Sequence, residues 1–160
     1  MENYLMLNGK RIDLTEEQVK TLTAEEKKNP FERGEFEDRY FSIMSAGVVL
    51  SCVEEGLDLD DKRFAIANYC TDKAMMEQRA LHETLNRLLW RYSEEHGGDG
   101  EWDMKRGHYY IGVAYNNILP FGTSAEKTQG VVYFKYEEIA KAAIEEIVKP
   151  FMEQHPEFVW

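Results

Sequence analysis

The sequence predicts an α+β protein: an N-terminal hairpin and short helix, followed by two consecutive antiparallel β-β-β-α units packed as one particle. Three observations predict it. "KRFAIANYCTDKAMMEQRALHETLNRLL" (62–89) and "GVVYFKYEEIAKAAIEEIVKPF" (130–151) both run from an apolar, strand-like stretch across a polar step into a helical pattern. Each is preceded by two further strand-like segments joined by a turn. Each helix carries an apolar stripe that one unit alone leaves half covered, so the two units should pack together. The boundaries expected are 1–29 for the appendage, 30–98 for the first unit and 99–160 for the second.

The appendage begins with "YLMLNGKRIDL", two apolar runs around Asn8-Gly9, the strongest two-residue hairpin signal. Thr15 with Gln18, and Thr23 with Glu26, are capping boxes for short helical turns. Asn29-Pro30 marks a turn and a linker.

In the first unit, "RYFSIM" and "VVLSCV" are strands around the turn "SAG", and "EEGLDLDD" is an acidic loop. "RFAIANY" (63–69) is the expected third strand. Thr71 is the expected cap of a helix whose apolar positions Ala74, Leu81, Leu85, Leu88, Leu89 and Tyr92 recur at helical spacing. Gly97 and Gly98 stand where a C-cap belongs. The second unit repeats the order: strands "HYYIGVAY" and "ILPFG", loop "TSAEKTQ", third strand "GVVYFKY" (130–136), and a helix over 137–153. That helix lines up Ala140, Ala143, Ile144, Ile147, Val148 and Phe151.

At 160 residues with 43% hydrophobic content, the chain suffices for one domain or two small lobes sharing a core. No apolar run approaches the ~20 residues that span a bilayer, and "MENYLMLNGK" lacks the basic start of a signal peptide. The expectation is a soluble protein of the cytoplasm. Cys52 and Cys70 are the only cysteines, form no CxxC pair, and read as buried free thiols. Thirty acids against 19 bases give a net charge of −11, spread over both halves. Such a field repels nucleic acid and membrane surfaces and attracts basic partners.

Catalytic chemistry has little to stand on. His82-Glu83 begins an HExxH-like string, but its fifth position is Asn86, so the second imidazole of a zinc helix is missing. His96, Asp99, Glu101, Asp103 and His108 fall within thirteen residues, yet their spacing fits neither an EF-hand nor a zinc motif. No phosphate-binding glycine loop or nucleophile elbow occurs. No metal, cofactor or catalytic residue is expected. The acidic loop, Glu54, Glu55, Asp58, Asp60 and Asp61, reads as solvated and as a charged surface for a basic partner. Glu94, Glu95, Asp99, Glu101 and Asp103 form a second such patch.

Several stretches, in order, resemble small proteins of phages and prophages of Gram-positive, often gut-dwelling, bacteria: "YLMLNGKRIDLTEEQV", "NPFERGEFEDRYFSI", "KRFAIANYCTDK", "YYIGVAY" and "GVVYFKYEEIAKAAIEEI". The resemblance runs from about Tyr4 to Phe151. Its marks include an acidic loop, Asn68-Tyr69 before a capped helix, and the final "EEIA" helix. One departure is the turn "SIMSAGVVLS", more apolar than the Asp/Gly-rich turn of that group. The resemblance implies a phage accessory protein, and some related products act as anti-CRISPR proteins. The expected partner is then a type II CRISPR effector nuclease with its guide RNA, whose Lys/Arg-lined channel an acidic protein could occupy in competition with DNA. Direct nucleic-acid binding is not expected, and homodimerisation stays open. The rival readings are a sponge for a nucleotide immune signal, with Lys105-Arg106-Gly107 as its one modest candidate, and a structural or assembly accessory of the phage particle.

Overall fold

The computed structural model describes residues 4–7, 10–15, 29–100, 102, 105–115, 117–123 and 126–160. Helix and strand are mixed, as the α+β reading requires. Strands β1 (Tyr4–Leu7) and β2 (Lys10–Asp13) pair antiparallel with Leu7 opposite Lys10, the expected hairpin, while its Asn8-Gly9 turn lies outside the described residues. The helical turns expected within 16–28 lie outside the described residues. Asn29 forms the expected turn: its carbonyl accepts from Glu32 N at 3.0 Å and its side chain from Phe31 N at 3.1 Å.

Strands β3 (Arg39–Ile43) and β4 (Val49–Val53) form a second antiparallel hairpin, with Phe41 opposite Ser51. The third strand expected at 63–69 does not form. Helix α1 (Asp58–Ala65) takes its first half. Asp58, Asp60 and Asp61 in the first turn and Lys62 and Arg63 in the last suit the helix dipole at both ends. Asp60 also reaches back to accept from Leu57 N at 3.1 Å. Ala67 then turns the chain in the left-handed region (φ 55°). Beyond it the Asn68 amide does what a strand backbone would do. Its oxygen accepts from Ile43 N at 2.7 Å and its nitrogen donates to Ile43 O at 2.8 Å. A single true bridge follows, Cys70 with Phe41, closed by bonds of 2.7 and 3.1 Å.

Helix α2 (Lys73–Glu95) starts at Asp72 and not at Thr71: the Asp72 carboxylate accepts from Met75 N at 3.0 Å. The shorter Thr71 hydroxyl instead donates to Pro30 O.

The second half also has a hairpin, a single bridge and a helix, but no counterpart of α1 among its described residues. Strands β5 (His108–Ala114) and β6 (Asn117–Thr123) pair with Tyr109 opposite Gly122. The expected strand at 130–136 again shrinks to one bridge, Phe134 with Tyr109, with bonds of 2.9 and 2.6 Å. The preceding carbonyl, Tyr133 O, faces away from β5 and accepts from the buried Ser93 hydroxyl of α2 at 2.6 Å, which ties this segment to the helix. Helix α3 (Glu137–Ala143) continues through a π-helical turn (Ile144–Val148) into α4 (Lys149–Gln154). Pro150 has no N–H for the Glu146 carbonyl and its ring would crowd that carbonyl, which places the wider turn just before it.

The main core lies between α2, the β5–β6 hairpin and the C-terminal helices. Leu85, Leu89 and Tyr92 of α2 meet Phe134, Ala140, Ala143, Val148 and Phe151, and Phe158 closes one side. Ala140 and Ala143 are fully buried, and their small side chains let the helix lie close to its neighbours. Gln78 fixes the tail after α4: its amide donates to Glu157 O at 2.6 Å and accepts from Val159 N at 3.0 Å. Among the described residues no helix is long and apolar enough to cross a membrane.

Candidate functional site

The acidic segment 54–61 is largely built into the fold. Glu54 and Asp60 are each 3% exposed, which corrects the expectation of a solvated loop. Glu54 accepts a two-pronged bond from Arg33, 3.0 Å from Nε and 2.8 Å from Nη2. Arg33 also meets Asp61 at 2.6 Å. Asp60 accepts from the Tyr40 hydroxyl at 2.5 Å and from Glu55 N at 3.2 Å. Asp58 pairs with Lys62 one helical turn on, at 2.5 Å. Of the five acids, Glu55 alone keeps an exposed carboxylate with no ionic partner among the described residues.

Tyr40 is fully buried and stacks on Tyr69, with ring centroids 4.0 Å apart, while Arg63 donates to the Tyr40 hydroxyl at 2.8 Å. The two hydrogen bonds from Arg33 hold the Glu54 carboxyl below the ordinary carboxylate range against the opposing effect of burial. The Tyr40 hydroxyl does the same for Asp60. Burial, helped by the bond to Asp60, pushes the Tyr40 hydroxyl up. Both buried carboxylates are therefore locked in the ionised form. Neither carboxyl is thus set up as a general acid, which needs the opposite environment.

The second patch is dispersed. Glu94 and Glu95 lie exposed at the end of α2, with Glu95 4.0 Å from Arg91. Asp99 pairs with Lys127 at 2.6 Å and has a side chain only 21% exposed. Glu101 and Asp103 lie outside the described residues.

A further group of exposed acids lies outside the two patches that the sequence predicts. Segment 31–38, "FERGEFED", exposes Glu32, Glu35, Glu37 and Asp38, with Phe31 50% and Phe36 70% exposed. Its backbone is pinned at three points: Gly34 N to the Tyr69 hydroxyl (3.0 Å), Glu35 N to Asp38 Oδ2 (2.9 Å), and Glu37 N to Glu54 O (2.8 Å). Glu37 sits at φ 72°, a conformation that a non-glycine residue holds only where its surroundings impose it. A side chain at Gly34 would bring its Cβ within 2.8 Å of Asp38 Cβ. The loop thus holds its backbone fixed and its acidic and aromatic side chains outward. The alternation of Phe and acid after Pro30 was the available signal.

The other constellations have structural explanations. His82 is exposed and rests against Phe158, and Glu83 pairs with both Arg79 (3.0 Å) and Arg87 (3.2 Å). His96 stacks on Tyr92, and the buried His108 stacks on Trp102 with centroids 3.9 Å apart. Among the described residues no group of three or more His, Cys, Asp or Glu side chains is placed to hold a metal ion. Both cysteines are free, Cys70 buried as expected but Cys52 only half-buried, within 3.3 Å of an Arg63 nitrogen. Lys105, Arg106 and Gly107 are exposed. No protein-family model matches the chain, and no curated protein and no solved structure matches it either.

Proposed function

We propose that the protein acts by binding and not by catalysis, as a phage-encoded anti-defence protein. Its most concrete target is a type II RNA-guided effector nuclease, whose basic channel it would occupy in competition with DNA inside the bacterial host. The observation that carries the reading is the pinned loop 31–38, where Glu35, Phe36 and Glu37 project from a backbone that cannot relax. A fixed loop loses little entropy on binding, and aromatic side chains such as Phe36 are enriched at protein contacts. The charge distribution supports it. The chain carries −11, and many of its described bases are already engaged: Arg33, Lys62, Lys73, Arg79, Arg87, Lys127, Lys141 and Lys149 all sit in ion pairs with acids of the same chain. The field offered to a partner is that of the unpaired acids. The resemblance to phage and prophage accessory proteins points the same way.

The test is a pull-down from bacteria carrying a CRISPR locus, followed by a DNA-cleavage assay with the recovered effector. Inhibition should be lost with Glu35→Gln, Phe36→Ala and Glu37→Gln together, and kept with Glu138→Gln, Glu145→Gln and Glu153→Gln, which leave this loop untouched. Equal loss in both sets would show that net charge matters without a local site. A nucleotide bound to the purified protein, with no effector recovered, would overturn the reading in favour of a nucleotide sponge.

A further inference from the structure

Among the described residues, one side of the β3–β4 hairpin is unused. The bonds from Met44 N to Val48 O (2.9 Å) and from Glu54 N to Asp38 O (2.8 Å) fix the phase of its ladder. By the alternation of an antiparallel pair, Phe41 points its backbone groups away from β4, as its bridge to Cys70 confirms. On the other side, Val49, Ser51 and Val53 point their N–H and C=O groups away from β3, and no described residue bonds to them. The strand carries no Pro, Gly or charge, the devices that normally guard an edge. The edge of β6 is guarded: Pro120 stands at an outward position of that strand, where its missing N–H denies a partner the ladder.

Beside the open edge lies a groove of about 570 Å³. Val48, Val49, Ala74 and Leu81 give it apolar walls, and Glu77 and Glu157 lie on it. Glu77 pairs with Lys73, and among the described residues Glu157 has only His155, at 3.5 Å, as an ionic partner. Just past the strand the exposed Glu55 adds a further negative charge. An unpaired strand edge recognises extended backbone, apolar walls recognise alternate side chains, and acids recognise bases. We propose that the β4 edge takes up an extended segment of a partner protein, alternating apolar and Lys/Arg residues, as an added strand. A second copy of the chain is a poor occupant, because two particles of −11 repel and β4 offers no base to offset it. The proposal rests on the reading that the partner is basic, and it specifies how one of its segments is held.

The probe is a fluorescent heptapeptide of alternating Lys and Val, titrated into the full chain by anisotropy. It should bind saturably and shift the amide resonances of Val49, Ser51 and Val53. N-methylation of every second peptide bond should weaken it about tenfold, the loss of one or two hydrogen bonds. Ser51→Pro should do the same. The Ser51 N–H lies outside the β3 ladder, so a melting curve should find that variant folded, and the methylated peptide tests the idea without touching the protein. Binding indifferent to methylation, or equal binding of a Glu-Val peptide, would overturn the proposal. So would a parent dimer that Ser51→Pro turns into a monomer, which gives the edge to a second copy. A folded Ser51→Pro protein that inhibits the effector fully removes the edge from the mechanism and leaves the acidic-loop reading intact. A parent protein that inhibits no effector yet binds the Lys-Val peptide fails that reading and keeps the edge.

Discussion

At Asp60 a carboxylate that looks solvated in the sequence is held by Tyr40, Leu57 and Glu55. Asp60→Ala should therefore cost about 1–3 kcal/mol by leaving a buried hydroxyl and two backbone donors unmatched. Asp60→Asn, which keeps an acceptor, should cost less. Chemical denaturation of both variants measures the difference, and equal, negligible losses would place Asp60 back in solvent. The pH dependence follows from the same contacts. Glu54 and Asp60 have folded pKa values below their ordinary ones. Their contribution is complete above the unfolded carboxylate value of about 4 and is lost as pH falls through the folded values. Melting temperature should fall in that acid window, and Glu54→Gln should flatten the fall. The acids themselves were plain in the sequence. Their burial was not, because it depends on Arg33, twenty-one positions before Glu54, and on Tyr40, twenty positions before Asp60. Gly34→Ala is the matching test of the 31–38 loop: the added methyl meets Asp38. It should weaken partner binding more than it lowers the melting temperature.

At the scale of elements, helical periodicity was readable and single bridges were not. Leu85, Leu89 and Tyr92 of α2 and Ala140, Ala143, Ile144, Val148 and Phe151 of the C-terminal helix are buried as their spacing predicts, whereas Leu81, Leu88 and Ile147 are half-buried and Ala74 is exposed. Leu85→Ala or Ile144→Ala should each cost ~2–5 kcal/mol by leaving a cavity. Losses well below that at both sites would remove these faces from the core. The two third strands failed for a physical reason. Apolar residues before a polar step fit a buried strand, but "RFAIANY" follows three acids that favour a helix start, and its ladder is completed by a side chain. Asn68→Leu should remove both bonds to Ile43 and cost about 1–3 kcal/mol, with the amide signal of Ile43 the first to move. The π turn was equally hidden, because Ile144, Ile147, Val148 and Phe151 keep a spacing that an unbroken α-helix also satisfies.

At the scale of the molecule, the −11 charge sets what salt does. Association with a basic partner should weaken as ionic strength rises, since screening shortens to about 8 Å near 0.15 M. The loss should fall mainly on the on-rate, which stopped-flow mixing resolves. A salt-independent rate would remove electrostatic steering from the account. The charge and the fold class could both be read from composition and pattern. Which acids face outward could not, because that depends on ion pairs formed only after the chain has folded.

Helix α2 touches the β3–β4 hairpin and the C-terminal helices, and this matters while the protein is being made. Its N-terminal part, with Met76 and Ala80, can settle on β3 and β4 as soon as it leaves the ribosome. Leu85, Leu89 and Tyr92 cannot, because Phe134, Val148 and Phe151 have yet to be translated. At roughly 5–20 residues per second, the remaining sixty or so residues leave that apolar face bare for about 3–12 seconds. A nascent chain stalled near residue 98 should therefore be held by chaperones, and one whose residues 1–160 have all cleared the ribosome on an added C-terminal linker should be released from them.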